Sequence, residues 1–144
     1  MSTGTWMVLC RRERLVSLLD VAQRVTKQRG TRIGELEPNY MKIVVDDRLT
    51  GNTATFEVFA ESEPHVRLES LEIAEAFEDR PDREHIAAAD ARYSMIWDLR
   101  YSDETYNAMC VAAEALADAS DGIVYDATND EIVLSAFTDR QGRR

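Results

Sequence analysis

The sequence predicts an α+β fold: a two-layer sandwich in which a mostly antiparallel sheet of about five to seven strands carries helices on one face. Three observations predict it. Residues 92–101 alternate, with Tyr93, Met95, Trp97, Leu99 and Tyr101 on one side and Arg92, Ser94, Ile96, Asp98 and Arg100 on the other. That is the period of a strand with one buried face. Residues 103–120 instead place Tyr106, Met109, Cys110, Ala113, Leu116 and Ala117 along one helical stripe. Short apolar runs bounded by turn-forming residues account for much of the rest. A chain of 144 residues fits one domain, 1–144, with a core burying roughly 70% of the unfolded surface. Residues 137–144, polar from Thr138 onward, are expected to form a flexible tail.

In chain order, Trp6–Cys10 is a short strand, and Leu15, Leu18, Leu19, Ala22 and Val25 make a helical stripe that ends before Gly30. One long helix over residues 6–28 competes with that division, since Val8, Leu9, Leu15 and Leu19 suit both. Met41–Val45 and Thr53–Phe59 form a hairpin with residues 49–52 near its tip. Ser70 caps a helix reaching about Asp79, with Ile73, Ala74 and Phe77 inward. Pro81 stops it, and Asp82 caps a second short helix through Ala89. Ser102 or Asp103 caps the helix over 103–120, and Gly122 ends it in the left-handed conformation. Ile123–Tyr125 and Ile132–Leu134 are strands joined by a turn over Asp126–Asp130, whose Asp and Asn residues suit tight turns. Each half of the chain then follows a strand–helix–strand–strand order.

Charge is divided unevenly. Residues 1–33 hold seven Lys/Arg against two acids, and residues 34–144 hold ten against twenty-five. Such an excess lies mostly on the surface, because charges are almost never fully buried unless paired. A net charge of −10 opposes binding to nucleic acid or to an anionic membrane. No apolar run approaches the ~20 residues that span a bilayer. The apolar opening precedes Arg11, Arg12 and Arg14 instead of following them, which is not the layout of an export signal. A cytoplasmic location follows as the expectation, with Cys10 and Cys110 reduced.

Catalytic and metal signatures are missing from the pattern. His65 and His85 are the two histidines, and Glu84-His85 has no second histidine four residues on. Cys110 lies on an apolar stripe, where thiol pKa values rise. Asp46/Asp47, Asp118/Asp121 and Asp126/Asp130/Glu131 miss the spacing of a calcium loop. No cofactor and no metal is expected, and the chain reads as a non-enzyme.

The acidic middle carries the functional reading. Residues 57–84 hold ten acids against three bases. Glu75 and Asp79 form a like-charge pair at helical spacing, and Glu78 and Asp79 sit where a helix dipole favours cations. Glu61, Glu63, Glu69, Glu72, Glu75, Glu78 and Asp79 are therefore the candidate partner-binding residues, facing a basic protein. Tyr40 or Tyr101 are candidate anchors. A solvated face that only keeps the protein soluble explains the same charges.

In size, charge and layout the chain resembles the small acidic immunity proteins of polymorphic and contact-delivered bacterial toxin systems. The unit from the Arg92 strand through the Asp103 helix to the Ile123/Ile132 hairpin looks like those found among them. The resemblance implies neutralisation of a toxin by occlusion, with the acidic face covering a basic cleft. Two other readings stay open. One is a small carboxylate-based enzyme or ligand-sensing domain with a pocket between sheet and helices, lined by Trp97, Tyr93 and Tyr101. The other is an oligomeric adaptor in which Thr53–Phe59 is an edge strand that pairs across a two-fold axis, so both monomer and homodimer are compatible.

Overall fold

A computed structural model describes residues 3–47, 51–98 and 101–135. The seven strands are β1 (Thr3–Cys10), β2 (Thr31–Glu37), β3 (Tyr40–Asp46), β4 (Thr53–Glu61), β5 (Ala91–Asp98), β6 (Ile123–Asp126) and β7 (Glu131–Ser135). The helices are α1 (Leu18–Val25), α2 (Pro64–Ala76), α3 (Arg83–Ala87) and α4 (Asp103–Ser120). All seven strands form one sheet in the order β2-β3-β4-β5-β1-β6-β7, and every neighbouring pair is antiparallel. The α+β sandwich stands. No helix among the described residues is long and apolar enough to cross a membrane.

The principal core lies between the sheet and α1/α4. Trp6 and Val8 of β1, Met41 and Ile43 of β3, Phe56 and Val58 of β4, and Tyr93, Met95 and Trp97 of β5 all turn to this side. They meet Leu18, Val21, Ala22 and Val25 of α1 and Met109, Ala112, Ala113 and Leu116 of α4. Alternation along β5 thus aims its aromatics at helices, as its period requires. Residues 99 and 100 of the expected strand lie outside the described residues, and Tyr101 falls beyond the end of β5.

α4 has the bounds its apolar stripe predicts, and the Ser102 hydroxyl caps it by accepting from the Thr105 N–H at 3.2 Å. Its other end differs from expectation. Asp121, not Gly122, takes the left-handed conformation, with φ 52°. Gly122 is needed for a different reason: a Cβ there would lie 2.7 Å from Val8 Cγ1 and 3.0 Å from the Leu9 carbonyl oxygen. Absence of a side chain lets the chain leave α4 directly against β1. The turn over Asp126–Asp130 is built as expected. The Asp126 carboxylate accepts from the N–H groups of Thr128 and Asn129 and from the Asn129 amide at 2.8 Å, and Asp130 has φ 54°.

The first half departs further. β1 is a strand, which overturns the reading of one long opening helix. α1 starts only at Leu18, behind the Ser17 cap, so its buried stripe is Leu18, Val21, Ala22 and Val25, while Leu19 is exposed. Leu15 packs against the core from the preceding loop. The Tyr93 hydroxyl holds that loop, donating to the Val16 carbonyl and accepting from its N–H at 2.7 Å. β2 was not anticipated. It is an edge strand with Arg32, Glu35 and Glu37 exposed and a bulge at Gly34, so it lacks an alternating apolar face. It also takes the edge position expected of Thr53–Phe59, because β4 is paired on both sides, by β3 and β5. The expected hairpin of β3 and β4 is present, though residues 49 and 50 of its tip lie outside the described residues, as does the expected tail.

The halves are not equivalent. After α4 the chain inserts β6 beside β1, whereas after α1 it runs to the sheet edge and returns through β3 to place β4 beside β5. Helices also cover more than one face. α1 and α4 share one side, while α2 packs against β5 and α3 against β1 on the other, over a small cluster of Leu9, Ala74, Ile86, Ala89, Ile123 and Tyr125.

Candidate binding surface

α2 begins with the dipeptide Glu63-Pro64, in which Pro64 occupies the first helical turn, where its missing N–H costs nothing. Its N-cap, Glu63, lies seven residues before the predicted Ser70 cap. Ser70 is instead buried in mid-helix, its hydroxyl without a partner among the described residues. Val66, Ser70 and Ala74 face the sheet. The helix stops at Ala76, so Glu78 and Asp79 occupy the turn beyond it and Glu75 and Asp79 are not a pair on one helical face. Asp82 precedes α3, but its carboxylate forms a two-point bond with Arg80, at 2.9 and 3.0 Å, instead of capping.

The seven candidate carboxylates separate into two groups. Glu61 and Glu69 turn toward Arg92, whose side chain is only 6% exposed. Arg92 donates to Glu69 and, at 3.5 Å, to Glu61 Oε2, and Glu61 also accepts from the Ser94 hydroxyl. A buried guanidinium needs such partners, and its place on the outward side of β5 explains why α2 packs there. Glu63, Glu72, Glu75, Glu78 and Asp79 remain exposed. Glu72, Glu75, Glu78 and Asp79 have no ion pair among the described residues.

The basic opening does not neutralise them. Arg11 approaches Glu13 at 3.9 Å, Arg14 approaches Asp121 at 3.6 Å and Arg32 approaches Asp46 at 3.5 Å. Arg12 bonds the Ser62 carbonyl through its guanidinium, and its own N–H donates to Asp90. Arg11 and Arg12 share a cleft of about 570 Å³ with Glu13, Asp90 and Arg67 of α2, so the opening's arginines meet α2 at a base and not at its exposed carboxylates.

Two leucines complete this surface, and sequence reasoning did not single them out. Leu68 is 63% exposed and Leu71 39%. With Glu72 and Glu75 they fall at helical spacings of three and four, on the outer side of α2. The available signal was the break in amphipathic pattern: Leu68 and Leu71 cannot share the inward face of Val66, Ser70 and Ala74. Tyr40, a candidate anchor, is occupied otherwise. Its hydroxyl donates to Glu57 at 2.6 Å, which together with desolvation raises its pKa to about 12, and its ring packs on Phe59. Tyr101 is exposed and stacks on Tyr106 with ring centroids 5.8 Å apart.

The remaining chemical candidates are tied into the fold. Burial pushes the Cys10 thiol up to about 12, unsuited to a nucleophile, and it also raises Cys110. Both thiols are free. Asp126 caps its turn, and Asp130 accepts from the Tyr125 hydroxyl at 2.6 Å. Glu61, Glu63 and His65 bring ligand atoms within 4.8 Å of one another. Arg92 already holds Glu61 there, and a dication would have to compete with that guanidinium.

No family model matches the chain, and no curated protein is significantly similar to it. Fold and surface therefore define only a class: an acidic α+β sandwich whose outer helix exposes leucines beside glutamates.

Proposed function

We propose that the protein is a non-catalytic binding protein of the cytoplasm that docks a basic protein through the outer side of α2 and the turn that follows. Its action fits that of an immunity protein that occludes the cationic cleft of a toxin. One observation carries the reading: Glu72, Glu75, Glu78 and Asp79 stay exposed without cationic partners among the described residues, although seven Lys/Arg are available within residues 1–33. The carboxylates steer an oppositely charged partner and raise its association rate. Leu68 and Leu71 supply apolar area that such a partner desolvates, the kind of contact that slows dissociation. Glu61 and Glu69 contribute indirectly, by fixing α2 to β5 through Arg92.

Affinity capture from the source cell, at low and at high salt, tests this with the native chain and with the quadruple variant Glu72→Gln/Glu75→Gln/Glu78→Gln/Asp79→Asn. The native chain should retain a basic protein at low salt and release it at high salt, and the variant should not retain it. Co-expression should then suppress that protein's toxicity. Equal capture by both chains, or toxicity unaffected by co-expression, overturns the reading.

A further inference from the structure

A second site lies away from α2, where the start of α4 meets the β6–β7 hairpin. A cleft of about 430 Å³ opens there, walled by Trp6, Trp97, Tyr101 and Tyr106 and rimmed by Asp126 and Glu131. The rings form a continuous chain. Trp97 meets Trp6 edge-to-face at 5.1 Å, Trp6 meets Tyr106 edge-to-face at 6.0 Å, and Tyr106 stacks on Tyr101 at 5.8 Å. The two tryptophans are buried and the two tyrosines exposed, so the aromatic core continues to the surface here. Packing needs account for the tryptophans. They do not account for an exposed tyrosine stack beside Val133, itself exposed.

The chemistry of the lining is one-sided. Its described residues include two carboxylates and no lysine or arginine. Asp126 is consumed by the turn, but Glu131 is exposed at the rim with no ion pair among the described residues. Aromatic faces carry negative potential, and with carboxylates beside them they attract a cation whose charge is spread out or shielded by carbon. A small, strongly hydrated metal ion gains little from ring faces.

We infer that this cleft is a binding site for an organic cation, a guanidinium or alkylated ammonium group held against the Tyr101–Tyr106 stack and countered by Glu131. The inference does not depend on the role proposed for α2, because the two surfaces share no residue.

The chain's two tryptophans both line the cleft, so intrinsic tryptophan emission responds to binding there, and the Glu131→Gln variant separates this cleft from the neighbouring one that Trp97 also borders. N-acetylarginine methylamide, its neutral isostere N-acetylcitrulline methylamide, and choline serve as probes. A saturable emission change is expected with a cationic probe, at least about tenfold weaker with the citrulline amide. Glu131→Gln and Tyr106→Leu should each weaken the cationic probe's binding several-fold. Circular dichroism should show both variants folded, and the exposed Glu131→Gln variant keeps the test decisive should Tyr106→Leu disturb packing. Saturation by choline alone assigns the site to a free ammonium compound, and saturation by the arginine amide alone to a side chain or peptide; both support an organic-cation site. No saturable response to either cation, or equal binding of the citrulline amide, overturns it.

Discussion

The two faces of the sheet are held by different physics. On one, α1 and α4 cover Tyr93, Met95, Trp97 and their neighbours with an apolar stripe, and the interior is filled by carbon. On the other, a smaller apolar cluster around Ala74 is joined by polar groups in fastening α2: Arg92 lies between Glu61 and Glu69, with Ser94 bonded to Glu61. Close by, Arg80 holds Asp82. Among the described residues the first face leaves at the surface Leu19 of α1, Ile33 of β2 and, at the α4 start, Tyr101 and Tyr106 beside Val133. The second leaves Leu68 and Leu71 outside together with unpaired acids. A layer built by apolar burial spends its leucines on the core, whereas a layer tied by charges can hold leucines free for another molecule.

The sharpest test of this contrast is one substitution made on each face. Leu116→Ala, at a fully buried position of α4, should lower unfolding free energy by about 2–5 kcal/mol in denaturant titrations. Leu68→Ala should change it by no more than about 0.5 kcal/mol while weakening partner capture. If Leu68→Ala destabilises as strongly as Leu116→Ala, the outer leucines are core and the docking surface is lost.

Breaking the polar fastening comes next. Arg92→Met should cost about 1–3 kcal/mol, less than for a fully buried pair because Glu61 and Glu69 keep some access to water. Adding Glu61→Gln and Glu69→Gln should recover part of the loss, since the stranded carboxylates are then gone. A triple variant no better than Arg92→Met would mean that packing, not charge, fixes α2.

Alkaline titration probes the apolar face. Burial pushes the Cys10 thiol up to about 12 from its ordinary 9.0 and the Tyr93 hydroxyl up to about 12 from 10.0. Both pKa values are raised on folding, so both groups favour the folded state while neutral. The stability they contribute is complete below pH 9 and is lost as pH climbs toward 12. The melting temperature should therefore fall above pH 9, and Cys10→Ala should make that fall shallower without abolishing it, because Cys110, Tyr40, Tyr93, Tyr106 and Tyr125 are also raised. A melting temperature that stays level from pH 9 to pH 11 would contradict the burial of both groups.

The smallest effect expected has the opposite sign. α2 has no base in its last turn, and Glu75 lies there against the negative end of the helix. Glu75→Gln should stabilise the protein by a few tenths of a kcal/mol at low salt while slowing partner association. Stabilisation together with unchanged association would leave the acidic residues a role in solubility alone.

Legibility in the sequence followed the same division. α4, β5 and the β6–β7 hairpin could be placed from residue pattern because apolar period, caps and turn residues all agreed there. β2 could not be read, because an edge strand with a bulge and charged side chains has no period to detect. The start of α2 was misplaced because Ser70 is a good capping residue that happens to be needed as a small buried one. Of the candidate carboxylates, sequence identified the exposed group but could not tell Glu61 and Glu69 from it. The pairing of β4 with β5 brings Glu61 to Arg92, and the packing of α2 on β5 brings Glu69.

By itself the sequence determined what local spacing controls: an α+β sandwich, its longest helix, its central strand and a surface rich in unmatched acid. The tertiary structure alone decided which acids are spent inside, which leucines stay outside, and that Trp6 joins Trp97, Tyr101 and Tyr106 in one cleft. The reason is physical. Periodicity encodes which side of an element is apolar, but the partner of a buried charge and the company of a ring are set by strand order and register, which no local pattern carries.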